Sequence, residues 1–126
     1  MIPLANRKVH VGYEDKFCLT FDKEVSRSGY IFREPMNITD WTFELFFHRG
    51  VEMNCQNTIF GVKGDVLAGL SGKVFFIIPA HETCRKPGTY WYTLQITRPN
   101  GKITRTESAK YVIAESLNPY YSIYKK

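Results

Sequence analysis

The sequence predicts an all-β domain of short antiparallel strands, and three observations support that prediction. Residues 88–96 alternate apolar and polar side chains with a period of two, as expected of a strand with one buried face. Residues 40–49 repeat the same pattern. Turn-forming Gly, Pro and Asn residues separate these stretches, and the chain shows no convincing amphipathic helical period. An antiparallel sandwich or barrel is therefore expected.

Length and composition indicate one globular domain. The chain has 126 residues, of which 44% are hydrophobic and 23% charged, which are ordinary values for a folded protein. The net charge of +5 is moderately basic. Lys and Arg are spread along the whole chain and do not interleave with aromatics in the manner of RNA-binding modules. We therefore do not expect nucleic acid to be the partner.

The N-terminal residues lack the apolar central region of a secretory signal peptide. The longest apolar run, Val74–Ile78, is the length of a strand and far too short to span a membrane. We therefore expect a protein made in the cytoplasm, with no membrane partner. Cys18, Cys55 and Cys84 are odd in number and not closely spaced, so reduced, buried thiols are expected.

The N-terminal third contains two predicted strands and a long connection. Residues Arg7–Gly12 suit an edge strand or an extended arm, and Lys16–Phe21 alternate as a half-solvated strand. The connection Asp22–Ile38 contains a loop signature at Ser26–Gly29. Within it, Tyr30–Phe32 is compatible with a short strand, before Glu34-Pro35 ends regular structure.

The middle of the chain supplies the second clear strand and a strand that is apolar on both faces. In Asp40–Arg49, one face carries Trp41, Phe43, Leu45 and Phe47. Thr58–Val62 is apolar enough to pair, and Lys63–Asp65 is a turn before Val66–Leu70. Lys73–Ile78 is apolar on both faces, which implies cover on both, and a partner subunit is one candidate for the second cover.

The C-terminal third centres on residues 88–106, which are predicted to form one hairpin. Pro99-Asn100-Gly101 is a tight turn signal, because Asn and Gly tolerate positive φ. A polar loop, Pro79–Lys86, precedes this hairpin, and Tyr111–Ala114 is the last predicted strand. The tail that follows is rich in tyrosine.

Neither a metal site nor a catalytic site is predicted. His81 and Cys84 form the only close His/Cys pair, with Cys55 and His48 as the remaining candidate ligands, whereas structural zinc sites usually use tight pairs. Extended spacing would place the His81 and Cys84 side chains on opposite sides, which disfavours a nucleophile and base pair. We therefore predict no cofactor and no enzymatic activity. Catalysis by Cys84 with His81 is kept as a third hypothesis.

Aromatic residues are the candidate partner-binding residues. On residues 88–96, Tyr90 and Tyr92 are expected to face the core, so Trp91 would face outward as an interface anchor or a sugar-stacking platform. The other possibility is that a loop or the tail covers Trp91. Tail residues Tyr120, Tyr121 and Tyr124 are too apolar to remain in water, so they are expected to dock on their own domain or on a neighbour.

The order of motifs resembles a known family. Asn37–Leu45 has the sequence NITDWTFEL and resembles a D-L-T-G-W-x-F strand opening. An apolar strand after a Gly-Lys turn (72–77), Glu82-Thr83, the strand 87–92 and a Thr-containing return strand (100–104) follow it. Across residues 15–115, this order resembles the immunoglobulin-like β-sandwich domains of tailed-phage virion proteins, such as the N-terminal domain of baseplate upper proteins. Those domains are often fused to a larger fibre or receptor-binding part.

A second likeness concerns Gly88-Thr89-Tyr90, which resembles the tyrosine corner of immunoglobulin-like folds. Antibody-type domains place a disulfide cysteine two residues after that tyrosine, and this chain has Tyr92 there. A disulfide of the antibody type is therefore not expected.

The resemblance implies the following organisation and function. Residues 1–14 would be an N-terminal arm or edge strand, 15–115 a single antiparallel immunoglobulin-like β-sandwich, and 116–126 an aromatic C-terminal tail. The chain would be a non-enzymatic virion component of a capsid, connector or baseplate, present in multiple copies and bound to other virion proteins. The alternative is a carbohydrate-binding module that uses Trp91 and surface tyrosines.

Overall fold

The computed structural model describes residues 4–116. In chain order the strands are β1 (Arg7–His10), β2 (Asp15–Thr20), β3 (Asp22–Arg27), β4 (Tyr30–Pro35), β5 (Thr42–His48), β6 (Thr58–Lys63), β7 (Asp65–Ala68), β8 (Lys73–Ile78), β9 (Gly88–Thr97), β10 (Ile103–Arg105) and β11 (Ala109–Ala114). A single helical turn, α1 (Ala80–Thr83), and a 3-10 turn at Gly69–Ser71 complete the regular structure of these residues. The described part of the chain is therefore all-β.

The larger of the sheets has six strands. Its order is β1-β11-β9-β5-β6, and β10 pairs with β9 beside this path. The β1 and β11 strands are parallel, with Ala114 opposite His10, whereas all other pairs in the sheet are antiparallel. The central strand, β9, thus lies between strands from the two halves of the chain.

The remaining strands form a small sheet and a separate hairpin. The small sheet has the order β2-β8-β7, and β2 pairs along its whole length with β8. The β3 and β4 strands pair only with each other in a two-stranded sheet, with Arg27 opposite Tyr30. We call this element the 22–35 hairpin.

One hydrophobic core lies between the large and small sheets. Phe17 of β2 contacts Tyr92 of β9, with ring centroids 6.4 Å apart, and Phe21 contacts Phe43 of β5 at 5.1 Å. The buried apolar residues are Val9, Val11, Phe21, Ile38, Phe43, Leu45, Phe47, Val74, Phe76, Ile78, Tyr92, Leu94, Ile96, Ala109, Tyr111 and Ile113. Both sheets therefore bury the apolar face that their period-2 patterns predict.

A polar cluster ties the first residues of the described chain to both sheets. The guanidinium of Arg7 donates two hydrogen bonds to the carboxylate of Asp15, at 2.7 and 3.1 Å. The hydroxyl of Tyr111 donates to the same carboxylate at 3.1 Å. The Arg7 guanidinium also lies 4.0 Å from the centroid of the Phe17 ring. β1, β2 and β11 are therefore joined by a part-buried ion pair.

Most predicted strands are confirmed, including the two with the clearest alternation. In β9, Tyr92, Leu94 and Ile96 are buried on one face, and in β5 the same holds for the face that carries Phe43. The predicted edge strand near the N-terminus is β1, at the edge of the large sheet. The turn at residues 98–101 joins β9 to β10 as predicted.

Three expectations are wrong in detail. The long connection at 22–38 is mostly a regular hairpin, because β3 and β4 pair over their whole length. The polar loop at 79–86 contains the helical turn α1. Cys18 and Cys55 are exposed rather than buried, because Cys18 lies on the outward face of β2 and Cys55 lies in the 50–57 loop.

Candidate interaction surfaces

The 22–35 hairpin exposes a cluster of apolar side chains. The exposed fraction is 69% for Tyr30, 73% for Ile31 and 49% for Phe32. Within the hairpin only Val25 and Glu34 are half-buried, and every other residue is exposed. Since a two-stranded hairpin alone is at best marginally stable in water, these side chains are candidates for contact with another surface.

The turn at the tip of the 22–35 hairpin explains why β3 and β4 pair without interruption. Ser28 and Gly29 form the two-residue loop, with φ of 52° and 80°. Positive φ at both positions is the geometry of a type I′ turn, whose twist matches that of the flanking strands. The Ser-Gly pair was visible in the sequence as a loop signal, but the strands on either side lacked an apolar-polar alternation to mark them.

The two faces of the hairpin differ in chemistry. Residues directly opposite each other share a face, so Tyr30 and Phe32 share one face with Val25, and their rings lie 6.4 Å apart. On this face the Arg27 guanidinium and the Glu34 carboxylate are 2.6 Å apart. The apolar stripe is thus flanked by charges that already pair with each other.

The opposite face of the hairpin carries a second ion-pair group. The Arg33 guanidinium contacts the Asp22 carboxylate and lies 3.3 Å from that of Glu24. The hydrogen bond from Arg33 lowers the pKa of Asp22. Pairing within the hairpin neutralises most of its charge, which favours an apolar rather than an oppositely charged partner surface.

A second exposed apolar surface lies on the small sheet, on the side away from the core. We call it the outer patch, and its members are Lys16, Cys18, Asp65, Phe75 and Ile77, with the exposed Leu67 two residues beyond Asp65 on β7. Register places Cys18 opposite Phe75 and Lys16 opposite Ile77, so these residues share one face. The exposed fractions are 40% for Phe75, 52% for Ile77 and 68% for Leu67.

This patch bears on the prediction that Lys73–Ile78 needs cover on both faces. The face with Val74, Phe76 and Ile78 is buried in the core. The other face is exposed in the part of the chain that the structure describes. The second cover that the sequence predicts is therefore not supplied by the described residues, and a partner subunit as that cover stays a prediction.

Trp91 lies on the outward face of the large sheet, as its place in the alternation predicts. It is half-buried, with His48 and Lys110 as its cross-strand neighbours. The ammonium nitrogen of Lys110 lies 5.9 Å from the centroid of its ring. Trp91 is thus less open than a stacking platform requires, and its role in partner binding stays a prediction.

A chain of three polar side chains lies beside Trp91. The Thr93 hydroxyl is 2.9 Å from His48 Nε2 and 2.9 Å from the Ser108 hydroxyl. His48 Nδ1 contacts the carbonyl oxygen of Gly50. Because a carbonyl only accepts, Nδ1 carries the ring proton and donates, so Nε2 accepts from Thr93 and Thr93 accepts from Ser108. The chain fixes one neutral tautomer of a fully buried histidine.

This arrangement predicts that stability falls in mild acid. Burial lowers the pKa of His48 from its ordinary value of 6.5, and the bond to Gly50 opposes that effect. The unfolded chain therefore takes up a proton at a higher pH than the folded chain, so His48 contributes its full stability above about pH 6.5 and loses it as pH falls through the folded pKa. Urea denaturation at pH 7.5, 6.5 and 5.5 should show a falling midpoint.

The control for this prediction is the exposed His81 of α1. His48→Gln should flatten the fall in urea midpoint, whereas His81→Gln should leave it unchanged. An NMR titration that gives His48 a pKa at or above 6.5 would contradict the assignment.

An open cleft of about 520 Å³ lies next to this polar chain. Its lining comes from the 51–53 segment and from residues 105–108, with Thr93 between them. The lining mixes hydroxyls with the charged Glu52, Arg105 and Glu107. This mixture identifies no single ligand chemistry, so we assign no ligand to the cleft.

The residues considered for metal binding or catalysis lie on β5, on α1 and in the connections next to these elements. His81 lies on α1 and is exposed, while Cys84 follows the helix and is half-buried. Both ring nitrogens of His48 are occupied by hydrogen bonds. Among residues 4–116, no group of three or more His, Cys, Asp or Glu side chains is placed to hold a metal ion.

The predicted tail residues Tyr120, Tyr121 and Tyr124 lie outside the described residues, so their role stays a prediction. Comparisons with known proteins identify no family: no protein-family profile matches the chain, and no curated protein matches it. Within the described residues, no helix is both long and apolar enough to cross a membrane.

Proposed function

We propose that this chain is a non-enzymatic structural subunit of a tailed-phage virion, as a capsid decoration, connector or baseplate component. It acts through protein-protein contacts and is present in multiple copies. The observation that carries the proposal is the 22–35 hairpin, whose apolar side chains are exposed while its charges pair internally. The exposed apolar side chains of such a surface are stabilised when an apolar neighbour removes them from water.

The binding free energy available from this contact suits an assembly in which the same contact occurs many times. Full burial of a large apolar side chain is worth about 1.5–3 kcal/mol, so Tyr30 and Phe32, which share one face of the hairpin, together supply about 3–6 kcal/mol before the costs of association. One such contact is weak. Many identical contacts in a particle act together through multivalency, so the overall affinity is high although each contact is weak.

The strand order supports the immunoglobulin-like part of the proposal. Variable-type immunoglobulin domains pair strands B, E and D in one sheet, and G, F, C and C′ in the other. Here β2-β8-β7 corresponds to the first set and β11-β9-β5-β6 to the second. Under this correspondence the 22–35 hairpin is an insertion between strands B and C.

Two contacts of β9 also support the immunoglobulin-like part of the proposal. The Tyr90 hydroxyl donates a 2.7 Å hydrogen bond to the carbonyl oxygen of Lys86, which is the bond of a tyrosine corner. Tyr92 occupies the position of the second cysteine of antibody domains and meets Phe17 across the core. An aromatic contact would therefore link the two sheets where antibody domains use a disulfide.

The position of the hairpin is consistent with a recognition role. Arg98, in the β9–β10 turn, lies 5.1 Å from the ring centroid of Trp41, which follows the hairpin in the chain. The connections around Trp41 and Arg98 thus lie at the same end of the sheets. In variable domains the corresponding B–C and F–G loops form the recognition end.

The carbohydrate-binding alternative receives less support. A sugar-stacking platform needs an open ring face, and Trp91 is half-buried with Lys110 near its ring. The two most exposed aromatic residues of the described chain, Tyr30 and Phe32, lie on the hairpin instead. No contact of the described residues favours a sugar over a protein partner, so we do not develop this alternative.

Particle incorporation tests the proposal. Gradient-purified particles of the phage whose genome encodes the chain should contain it in many copies, as measured by quantitative mass spectrometry. The double substitution Tyr30→Ser, Phe32→Ser should reduce the incorporated amount at least about tenfold, because two exposed anchors worth more than 1.4 kcal/mol together are lost. The circular dichroism spectrum should not change.

Tyr13→Ser is the matched control, since Tyr13 is an exposed aromatic residue that precedes β2, at the end of that strand away from the hairpin. It should leave incorporation unchanged. Absence of the unaltered chain from purified particles would refute the virion role, whereas normal incorporation of the double variant would refute the role of the hairpin.

A further inference from the structure

The β2 and β3 strands form one continuous edge of the protein. Phe21 joins them: its amide donates to the carbonyl oxygen of Gly72, just before β8, and its carbonyl accepts from the amide of Met36, just after β4. β8 and β4 therefore lie on the same side of β2 and β3. Among residues 4–116, no strand pairs with β2 or β3 on the other side. We call this other side the 16–26 edge.

Alternate residues direct their backbone groups to the 16–26 edge. In a strand, the N–H and C=O of one residue point to the same side, and those of the next residue point to the opposite side. Since the groups of Phe21 point to β8 and β4, those of the even-numbered residues from Lys16 to Ser26 point away from these strands. Pro35 agrees with this assignment, because it lies opposite Asp22 and has no N–H to donate. The edge thus presents a row of backbone donors and acceptors without a strand partner in the described chain.

The charges of the even-numbered side chains differ between the two ends of the edge. Lys16 lies at the start, where its ammonium is 3.3 Å from the carboxylate of Glu14. Asp22 and Glu24 lie toward the other end, where Arg33 contacts both. These ion pairs are all more than a third exposed, so water screens them and the groups can form a further contact. Along the edge itself, the cation is at one end and the two carboxylates are at the other.

We propose that the 16–26 edge binds the same edge of a second copy of this chain, antiparallel and about a two-fold axis at Thr20. This register sets Lys16 of each copy opposite Glu24 of the other, and Cys18 opposite Asp22. Opposite charges that face each other across an antiparallel pair stabilise it. An in-register parallel pairing would instead set each carboxylate against its own counterpart. The charge pattern therefore favours an antiparallel copy of the same edge.

The other charged groups on the outer side of the small sheet do not oppose this pairing. Glu14 comes opposite Ser26, so no two carboxylates face each other. Lys73 lies opposite Thr20 within each copy. The two Lys73 residues are therefore three strand spacings apart, about 14 Å, which exceeds the Debye length at physiological salt. Asp65 lies on β7, two strands away from the edge.

On the inner side, the register brings together three kinds of pair from the two copies: Leu19 with Phe21, Lys23 with Phe17, and Asp15 with Val25. The first pair extends the two hydrophobic cores toward each other. In the second pair, Arg7 already lies over the Phe17 ring, but a lysine stem covers apolar surface while its ammonium remains in water. Asp15 keeps its ion pair with Arg7.

The hydrogen bonds of this pairing are sufficient for a weak dimer. An antiparallel ladder over residues 16–24 of both copies contains about ten backbone hydrogen bonds, which is the number in a typical protein interface. Large buried aromatic anchors, which dominate tight interfaces, are few along this edge. We therefore expect a dissociation constant in the micromolar range.

Charge reversal tests the pairing. By size-exclusion chromatography with light scattering, the unaltered chain should be monomeric at about 1 μM and dimeric near 100 μM. Lys16→Glu and Glu24→Lys should each raise the dissociation constant at least about tenfold, because either change places two pairs of like charges in the dimer. An equimolar mixture of the two variants should dimerise as the unaltered chain does, because both pairs then join opposite charges.

A disulfide locates the two-fold axis. Directly opposite residues of an antiparallel hydrogen-bonded pair have Cα atoms about 5.5 Å apart, within the range of a disulfide. In a chain that also carries Cys18→Ser, Thr20→Cys should form a covalent dimer under mild oxidation, as seen on a non-reducing gel. Ser26→Cys is the matched control on the same edge, since it comes opposite Glu14 and should not form one.

The 22–35 hairpin separates this proposal from the virion role. Tyr30 and Phe32 lie on the face of Val25, which belongs to the inner side, and they remain exposed in the dimer. The double substitution Tyr30→Ser, Phe32→Ser should therefore leave dimerisation unchanged. The proposal is overturned if the unaltered chain stays monomeric at 100 μM, if the mixed variants fail to dimerise, or if the two engineered cysteines crosslink equally.

Discussion

Phe47→Ala should lower the free energy of unfolding by about 3–5 kcal/mol, the usual cost of truncating a fully buried phenylalanine. The Phe47 ring is 1% exposed and stacks on Phe60 with centroids 4.4 Å apart. It also meets Tyr111 at 4.9 Å and Tyr92 at 5.7 Å. Its removal leaves a cavity among three rings from three different strands. Urea denaturation followed by circular dichroism measures the loss.

Phe46→Ala is the matched control for this substitution, because Phe46 precedes Phe47 on β5 and faces the other side of the sheet, where it is half-buried. The same side-chain atoms are removed, yet the expected loss is only about 1 kcal/mol, because less apolar area leaves water at that position. Equal losses for the two variants would contradict the placement of the core on the Phe47 face.

Asp15→Ala has the second large expected effect and should lower the free energy of unfolding by about 2–4 kcal/mol. The substitution removes the acceptor of both Arg7 hydrogen bonds and of the Tyr111 hydroxyl. The exposed fraction is 28% for the Arg7 side chain and 11% for that of Asp15, so solvent only partly replaces the lost partner. A half-buried cation without its counter-charge is costly, and the buried hydroxyl of Tyr111 without an acceptor adds to the loss.

The control for Asp15 is Glu24→Ala in the 22–35 hairpin. Glu24 lies 3.3 Å from Arg33 and is 66% exposed, so water screens its ion pair and its loss should destabilise the protein far less than the loss of Asp15. Both proteins are compared by urea denaturation at pH 7. If Asp15→Ala destabilised no more than Glu24→Ala, the cluster around Arg7 would not join the two sheets energetically.

The sequence predicts the core strands because burial leaves a signal in the chain. In β5 and β9 one face is buried, and selection for apolar residues at every second position makes the period visible. The 22–35 hairpin has no buried face, so its strands carry no such period. Its local signals were the Ser28-Gly29 turn and the apolar run Tyr30–Phe32, which identifies part of β4 but not the pairing of β3 with β4.

The polar chain near Trp91 could not be predicted from the sequence either, and the reason is a different one. His48, Thr93 and Ser108 are brought together by the register of β5 on β9 and by the return of the chain after β10. Nothing local to any of the three residues indicates that register. The direction of Trp91 followed from alternation, but its contact with Lys110 depends on the pairing of β9 with β11, which the sequence does not determine.

The parallel pairing of β1 with β11 has a kinetic consequence. Arg7 lies opposite Tyr111, so this edge of the large sheet joins residues about a hundred positions apart. Closing so long a loop is entropically costly and slows folding, because non-local contacts must form before they stabilise anything. During synthesis on the ribosome, β1 stays unpaired with β11 until nearly all of the described chain has been synthesised. During that interval β1 and the adjoining core residue Val11 are without cover from β11, so the nascent chain passes through a stage that is prone to aggregation.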